Sequence, residues 1–240
     1  MEVSSKKTND VVYFVKECTT NEELVYSLRS VEKNFPHNKV WIYGGCPSNL
    51  KLDTFTHITQ NGLTKWDKVR KMFSAAANNP DITDDFYLFN DDFFIMEPID
   101  EMSVFYRSTL PEHILEIEMK HGDSPSEYTK LLRTTYRNLL PYSDPVLSYE
   151  LHIPFLFNKK KLLNVIKKFP TVHATRTIYG NYYKIGGDKM RDVKVYGQAS
   201  LNNPNTKTFL STDDSAWMGD KYYIKTRVKN TFPDKSQYEL

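Results

Sequence analysis

Asn90, Asp91 and Asp92 interrupt an apolar run, with Phe86-Tyr-Leu-Phe89 before them and Phe93-Phe-Ile95 after. A run of that kind predicts a strand buried on both faces of an α/β sheet. Adjacent carboxylates at its end repel when desolvated together, and a divalent cation removes that cost. Oxygen-only ligands favour a hard ion, Mg²⁺ or Mn²⁺. Asp91 and Asp92 are therefore candidate metal ligands; two solvated acids in a turn are the plain alternative. His152 lies inside the apolar stretch Glu150–Phe157, where Ile153-Pro154 stiffens the chain and fixes the imidazole's aim. It is a candidate catalytic residue, against a hydrogen-bonded core histidine.

Arg176, in a polar stretch beside His173, offers a fork suited to phosphate oxygens, or is a surface arginine. Lys65 and Arg70 flank Trp66 at the start of a predicted helix, within reach of a phosphate or on a solvated basic face. Asp213 and Asp214 end a late strand-like piece, as a further metal ligand, a base or surface acids. Gly44-Gly45 lacks a G-x-G-x-x-G pattern and reads as a turn after a strand that lets a ligand approach. Lys159-Lys160-Lys161 with Lys167-Lys168 reads as a solvated helix face, with polyanion contact as the other option.

These residues need a scaffold, and its pattern is strand–helix–strand. Val11–Val15, Lys39–Tyr43 and Phe55–Thr59 read as strands. Helices are predicted from Thr20 to about Asn34, ahead of Pro36, and from about Thr64 to Ala77. The order argues for a doubly wound, mostly parallel sheet. Residues 1–10 read as a frayed tail. Residues 97–145, rich in proline and charge, read as a helical insertion over the sheet edge, placed to act as a lid. Glu150–Phe157 opens a further strand, Lys159 to Lys168 a basic amphipathic helix, and Thr208–Thr212 a last strand. All of this forms one domain over 1–240.

The chain has 240 residues, a net charge of +2, and 40% hydrophobic and 26% charged residues, an ordinary balance that neither demands nor forbids a polyanionic partner. Cys18 and Cys46 lack metal-site spacing and read as reduced thiols. The N-terminal stretch has no apolar signal region, and no apolar run approaches membrane-spanning length. A cytoplasmic protein is expected, of undetermined oligomeric state.

Taken in order, several segments resemble the Stealth proteins, sugar-1-phosphate transferases that include capsular polysaccharide phosphotransferases. Glu23-Leu-Val-Tyr-Ser-Leu-Arg-Ser-Val-Glu-Lys-Asn-Phe-Pro36 is similar to the family's LRYSLRSIEKYAPW segment, and Phe86–Phe94 to its FLYFNDD segment. His152-Ile-Pro154, Phe169-Pro170 and Arg176 resemble its H-x-P, FP and R positions, and Phe209–Asp213 its closing FLCIND. The family's opening VYTWVDGSD is here Val12-Tyr-Phe-Val-Lys-Glu-Cys18, without the acids. The resemblance implies a GT-A-like fold and a transferase moving a sugar or sugar-1-phosphate from a UDP-sugar or other nucleotide-sugar donor. The acceptor would be a hydroxyl of a glycan or of a modified base in DNA. It assigns Asp91 and Asp92 to Mg²⁺ or Mn²⁺ with Asn90 orienting them, His152 to the role of general base or donor-phosphate contact, and Arg176 to catalysis. A catalytically inactive module that binds a glycan or polyanion is the alternative.

Overall fold

The computed structural model describes residues 8–51, 53–60, 64–121, 126–197 and 207–240. β1 (Asp10–Val15), α1 (Glu22–Asn34), β2 (Val40–Gly44) and β3 (Phe55–His57) follow one another, and α2 (Lys65–Asn78) leads into β4 (Asp85–Asn90). β5 (Phe93–Ile95) comes next, then the short β6 (Phe105–Tyr106) and β7 (Ser108–Thr109). The segment 97–145, expected as an insertion, carries α3 (Leu110–His121) and α4 (Glu127–Leu139). β8 (Leu147–Ser148), β9 (Phe155–Asn158), α5 (Lys159–Lys168) and α6 (Thr175–Tyr182) follow. After them come β10 (Asp188–Lys189), β11 (Lys194–Val195), β12 (Phe209–Thr212), α7 (Asp214–Met218) and α8 (Ile224–Thr231).

The main sheet has the order β3-β2-β1-β4-β9, parallel except for β9, which runs antiparallel to β4. Successive side chains of a strand face opposite sides. Val12 and Phe14 of β1 accordingly join Met72, Phe73 and Ala76 of α2, while Val11, Tyr13 and Val15 join Leu24, Leu28 and Val31 of α1. Both faces are buried, which is why the strands read as unbroken apolar runs. The doubly wound, mostly parallel α/β sheet expected from the sequence is the observed one.

Three local expectations are corrected. The run from Phe86 to Ile95 is two strands in different sheets, because β5 leaves the main sheet and pairs antiparallel with β12. The polar triplet between them is the hand-over turn. α1 secures it: Ser27 Oγ donates to the Phe93 carbonyl, Ser30 Oγ accepts from the Ile95 N–H (3.1 Å), and Asn34 Nδ2 donates to the Ile95 carbonyl (2.7 Å). Next, Asp10, counted in the expected tail, belongs to the sheet. Asp10 is fully buried in β1 and accepts from Asn38 Nδ2 (2.7 Å), Trp41 Nε1 (2.9 Å) and the Thr83 N–H (3.0 Å). Those donors meet the cost of burying its carboxylate. Residues 1–7 of the expected tail lie outside the described residues. Lastly, the strand expected from Glu150 begins only at Phe155.

The insertion is anchored to the sheet. Leu110, Ile114, Leu132 and Leu139 share one apolar cluster with Phe73, Phe86 and Phe157.

Candidate active site

β1 has its next strand, β2, on one side and β4 on the other, so chain order reverses between β1 and β4. Such a switch point leaves a crevice beyond the carboxyl ends of the strands. The turn Asn90-Asp91-Asp92 sits at its edge, directly after β4. Asn21 caps α1 by accepting from the Leu24 N–H (2.9 Å), and its Nδ2 donates to Asp91 Oδ2 (2.6 Å). Asp92 Oδ2 accepts from Lys194 Nζ and from Ser211 Oγ, both at 2.8 Å. Glu23, in the first turn of α1, accepts from Thr212 Oγ1 (2.5 Å).

These groups line an open polar cleft of about 520 Å³ that also includes Asp213 and Asp214. Among the described residues that line it, Lys194 is the one cationic side chain, facing five carboxylates. The imbalance shows in their proton affinity. Burial, with Asp92 and Asp91 adding repulsion, pushes Glu23 up to about 8 despite its bond to Thr212. Burial and the Asp92 charge likewise push Asp91 up to about 6. An added cation would relieve both.

Among the described residues no three His, Cys, Asp or Glu side chains form a ready-made metal cage. Hard ions such as Mg²⁺ need none: they are commonly held by one or two carboxylates, with substrate phosphates and water completing the shell. The excess of carboxylates around Asp91 and Asp92 fits that mode.

His152 lies at a bend between Leu151 and Ile153. Pro154 cannot donate to a sheet ladder, and the backbone of this stretch is held by side chains instead. Asp192 accepts from the His152 N–H (Oδ1, 3.0 Å) and binds His152 Nδ1 (Oδ2, 2.8 Å). Arg176 Nη1 donates to the carbonyls of Leu151 (2.5 Å) and Ile153 (3.4 Å). The two halves of the site meet at Phe93, the residue after Asp92. Its ring lies edge-on to His152 with centroids 6.4 Å apart, and the Arg176 guanidinium stands 5.4 Å over it.

The other sequence candidates are placed as follows. Asn90 lines the cleft. Asp213 caps α7, accepting from the Ala216 N–H (2.7 Å) and Ser215 Oγ (2.8 Å). Gly44 ends β2 at φ 111°, and a Cβ there would lie 2.2 Å from the Val15 carbonyl oxygen, so the position admits glycine alone. Arg70 donates to the carbonyls of Ile166 (2.6 Å) and Phe169 (3.2 Å), closing the end of α5. Trp66 stacks on Tyr128 of α4 at 5.9 Å, with Lys65 Nζ 5.3 Å from its ring. Lys65, Trp66 and Arg70 are not among the residues lining the acidic cleft.

Sequence reasoning passed over Glu23, Asp192, Lys194 and Ser211. Glu23 falls inside the first predicted helix, where the sequence assigns it no site role. Lys194 and Ser211 meet Asp92 across 102 and 119 residues, a pairing no local pattern signals.

No protein-family model matches the chain, and no curated protein matches it. Solved structures do. The galactosyltransferase LgtC in complex with donor and acceptor sugar analogues is 12% identical, over 95% of this chain and 96% of that one, with a TM-score of 0.49. An active-site mutant of LgtC is also 12% identical, over 95% and 98%, with a TM-score of 0.46. No described helix is long and apolar enough to cross a membrane.

Proposed function

We propose that this chain is a nucleotide-sugar-dependent transferase with a GT-A-like site, moving a sugar or sugar-1-phosphate to a hydroxyl of an acceptor glycan or of a modified DNA base. One observation carries the reading. A carboxylate-rich cleft lies at the switch point of a parallel sheet, and the ring of Phe93, the residue after Asp92, contacts a histidine whose Nδ1 is already engaged by an acid. The cleft suits a diphosphate donor brought in with a divalent cation, and its volume falls in the range of small-molecule sites. Asp91 and Asp92 would hold Mg²⁺ or Mn²⁺, which when bound neutralises charge growing on the departing nucleotide.

The protein's own groups do the rest. Lys194 balances Asp92 and presents an ammonium to the donor side of the cleft. Arg176 supports the bend that carries His152 through the flanking carbonyls. His152 takes the proton of the attacking hydroxyl. The test is mass spectrometry of products after incubating the protein with Mn²⁺, a panel of nucleotide sugars and candidate acceptors. Release of nucleoside diphosphate marks glycosyl transfer, and nucleoside monophosphate marks sugar-1-phosphate transfer. Glycan binding with no donor turnover across the panel sinks the proposal in favour of an inactive module.

A further inference from the structure

The short extended segment Asp192-Val-Lys194 serves both sides of the site. Lys194 reaches Asp92, and Asp192, two residues earlier, reaches His152. We propose that Asp192 is the positioning residue of the acceptor base: it holds His152 as the Nδ1–H tautomer and leaves Nε2 to accept the proton. The catalytic consequence rests on the transferase reading; the tautomer does not.

The geometry is specific. One carboxylate grips both the backbone N–H and the ring nitrogen of the same residue, at 3.0 and 2.8 Å, which fixes the bend and the ring together. Arg107 Nη1 donates to the same Oδ2 at 3.1 Å, while its Nε and Nη2 hold Glu116 at 3.2 and 3.0 Å. An ionised carboxylate has no proton to give, so Nδ1 must carry the one in that bond. Burial opposes ionisation of Asp192, but His152 and Arg107 outweigh it and hold the carboxyl well below the ordinary range. Other described groups that act on this pair include His113 from α3, Tyr128 from α4, Arg176 from α6, and Lys194 and Tyr196 from the segment of Asp192 itself. Burial and Arg107 push His113 down to about 4, so it adds no charge at neutral pH.

In the transfer step the acceptor oxygen bonds to the anomeric carbon or to the β-phosphorus of the donor. The bond from that centre to the nucleotide oxygen breaks, and the nucleotide leaves with the electron pair. The acceptor proton passes to His152 Nε2. Asp192 touches neither substrate nor proton; it aims the ring, as the acid of a catalytic triad does.

The test is a long-range ¹H–¹⁵N correlation spectrum of the full chain with ¹⁵N-histidine, at a pH where the imidazoles are neutral. A His152→Gln variant assigns the signal. The expected wild-type pattern is Nδ1–H, with Nε2 unprotonated. Asp192→Asn should lose that preference and lower kcat by roughly 10²–10⁴-fold at unchanged donor KM, and Asp192→Glu should recover part of both. An Nε2–H pattern in the wild-type protein overturns the proposal, as does an Asp192→Asn variant that keeps tautomer and kcat. If Asp192→Asn does not fold, the wild-type spectrum still decides. Because that spectrum needs no substrate, a failed search for transferase activity leaves the result standing.

Discussion

Asp92 carries two relationships that pull its substitution in different directions. Its carboxylate balances the Lys194 ammonium and accepts from Ser211, so it is part of the fold; it also faces the cleft. Asp92→Asn keeps the size and one acceptor but leaves Lys194 without its charge partner. A fall of a few degrees in Tm is expected, together with loss of at least ~10²-fold in nucleotide release from the donor, since the variant cannot help hold the cation. Calorimetry with UDP-sugar and Mn²⁺ checks the assignment, and wild-type binding and turnover would remove Asp92 from the site. Arg176 makes a different case. One guanidinium nitrogen, Nη1, bridges the Leu151 and Ile153 carbonyls, on either side of His152. Arg176→Lys replaces a rigid planar donor with a flexible, differently placed ammonium, so the bridge between the two carbonyls loosens. Turnover should fall by roughly tenfold or more through a loosened His152 while donor affinity stays put. A matching loss of donor affinity would return Arg176 to the phosphate.

At the scale of elements, what repeats locally was readable and what meets at a distance was not. α1, α2 and α5 lie within a residue or two of their expected bounds, because the apolar spacing is written side by side in the chain; the cap of α1 is Asn21, one residue after the Thr20 from which that helix is expected. The split of the Phe86–Ile95 run was hidden, because both strands are equally apolar and the difference lies in their partners, β9 and β12. The bend at His152 was hidden for the same reason: the groups that hold it, Asp192 and Arg176, stand 40 and roughly 25 residues away. Asp91 and Asp92 were legible as adjacent acids, whereas Glu23 became a site residue only when α1 turned its first turn towards them. The insertion offers an element-level test. His113 of α3 is 2% exposed and bound to Ser148 Oγ of β8 at 2.8 Å. Burial and Arg107 push it from 6.5 down to about 4. Between those values the unfolded chain binds a proton that the folded one does not. The stability tied to His113 is therefore complete above about pH 6.5 and lost as pH falls towards 4. Urea unfolding should show a drop on the order of 2 kcal/mol from this group between pH 7.5 and 5. His113→Gln should flatten that part of the profile, and an unchanged acid limb would mean that other groups set it.

At the scale of the whole molecule, α1 is the member that joins the parts. Its first turn faces the acid cleft, its apolar face covers the sheet, its serines hold β5, and Arg29 binds residues near position 240. Arg29 Nε and Nη2 pair with both oxygens of Glu239 at 2.7 Å, and Nη1 donates to the carbonyls of Phe232 (2.9 Å) and Pro233 (3.0 Å). The two side chains are only 11% and 7% exposed, so this pair is not a screened surface contact. Bidentate geometry adds strength and direction. Breaking a buried pair from one side is costly chiefly because the remaining charge is left desolvated. The two carbonyls still bound by Nη1 soften that cost. Glu239→Gln should therefore destabilise by roughly 2–4 kcal/mol. For a chain of this size that corresponds to a Tm lower by about 5–15 °C. Turnover measured well below the transition should stay at the wild-type value, because Glu239 reaches the cleft only through the body of α1. Differential scanning fluorimetry and a rate assay on the same variant check both halves. A Tm within about 1 °C of wild type would mean that the Phe232 and Pro233 carbonyls alone satisfy Arg29. A normal Tm with lowered turnover would instead point to α1 passing strain from this clamp to Glu23.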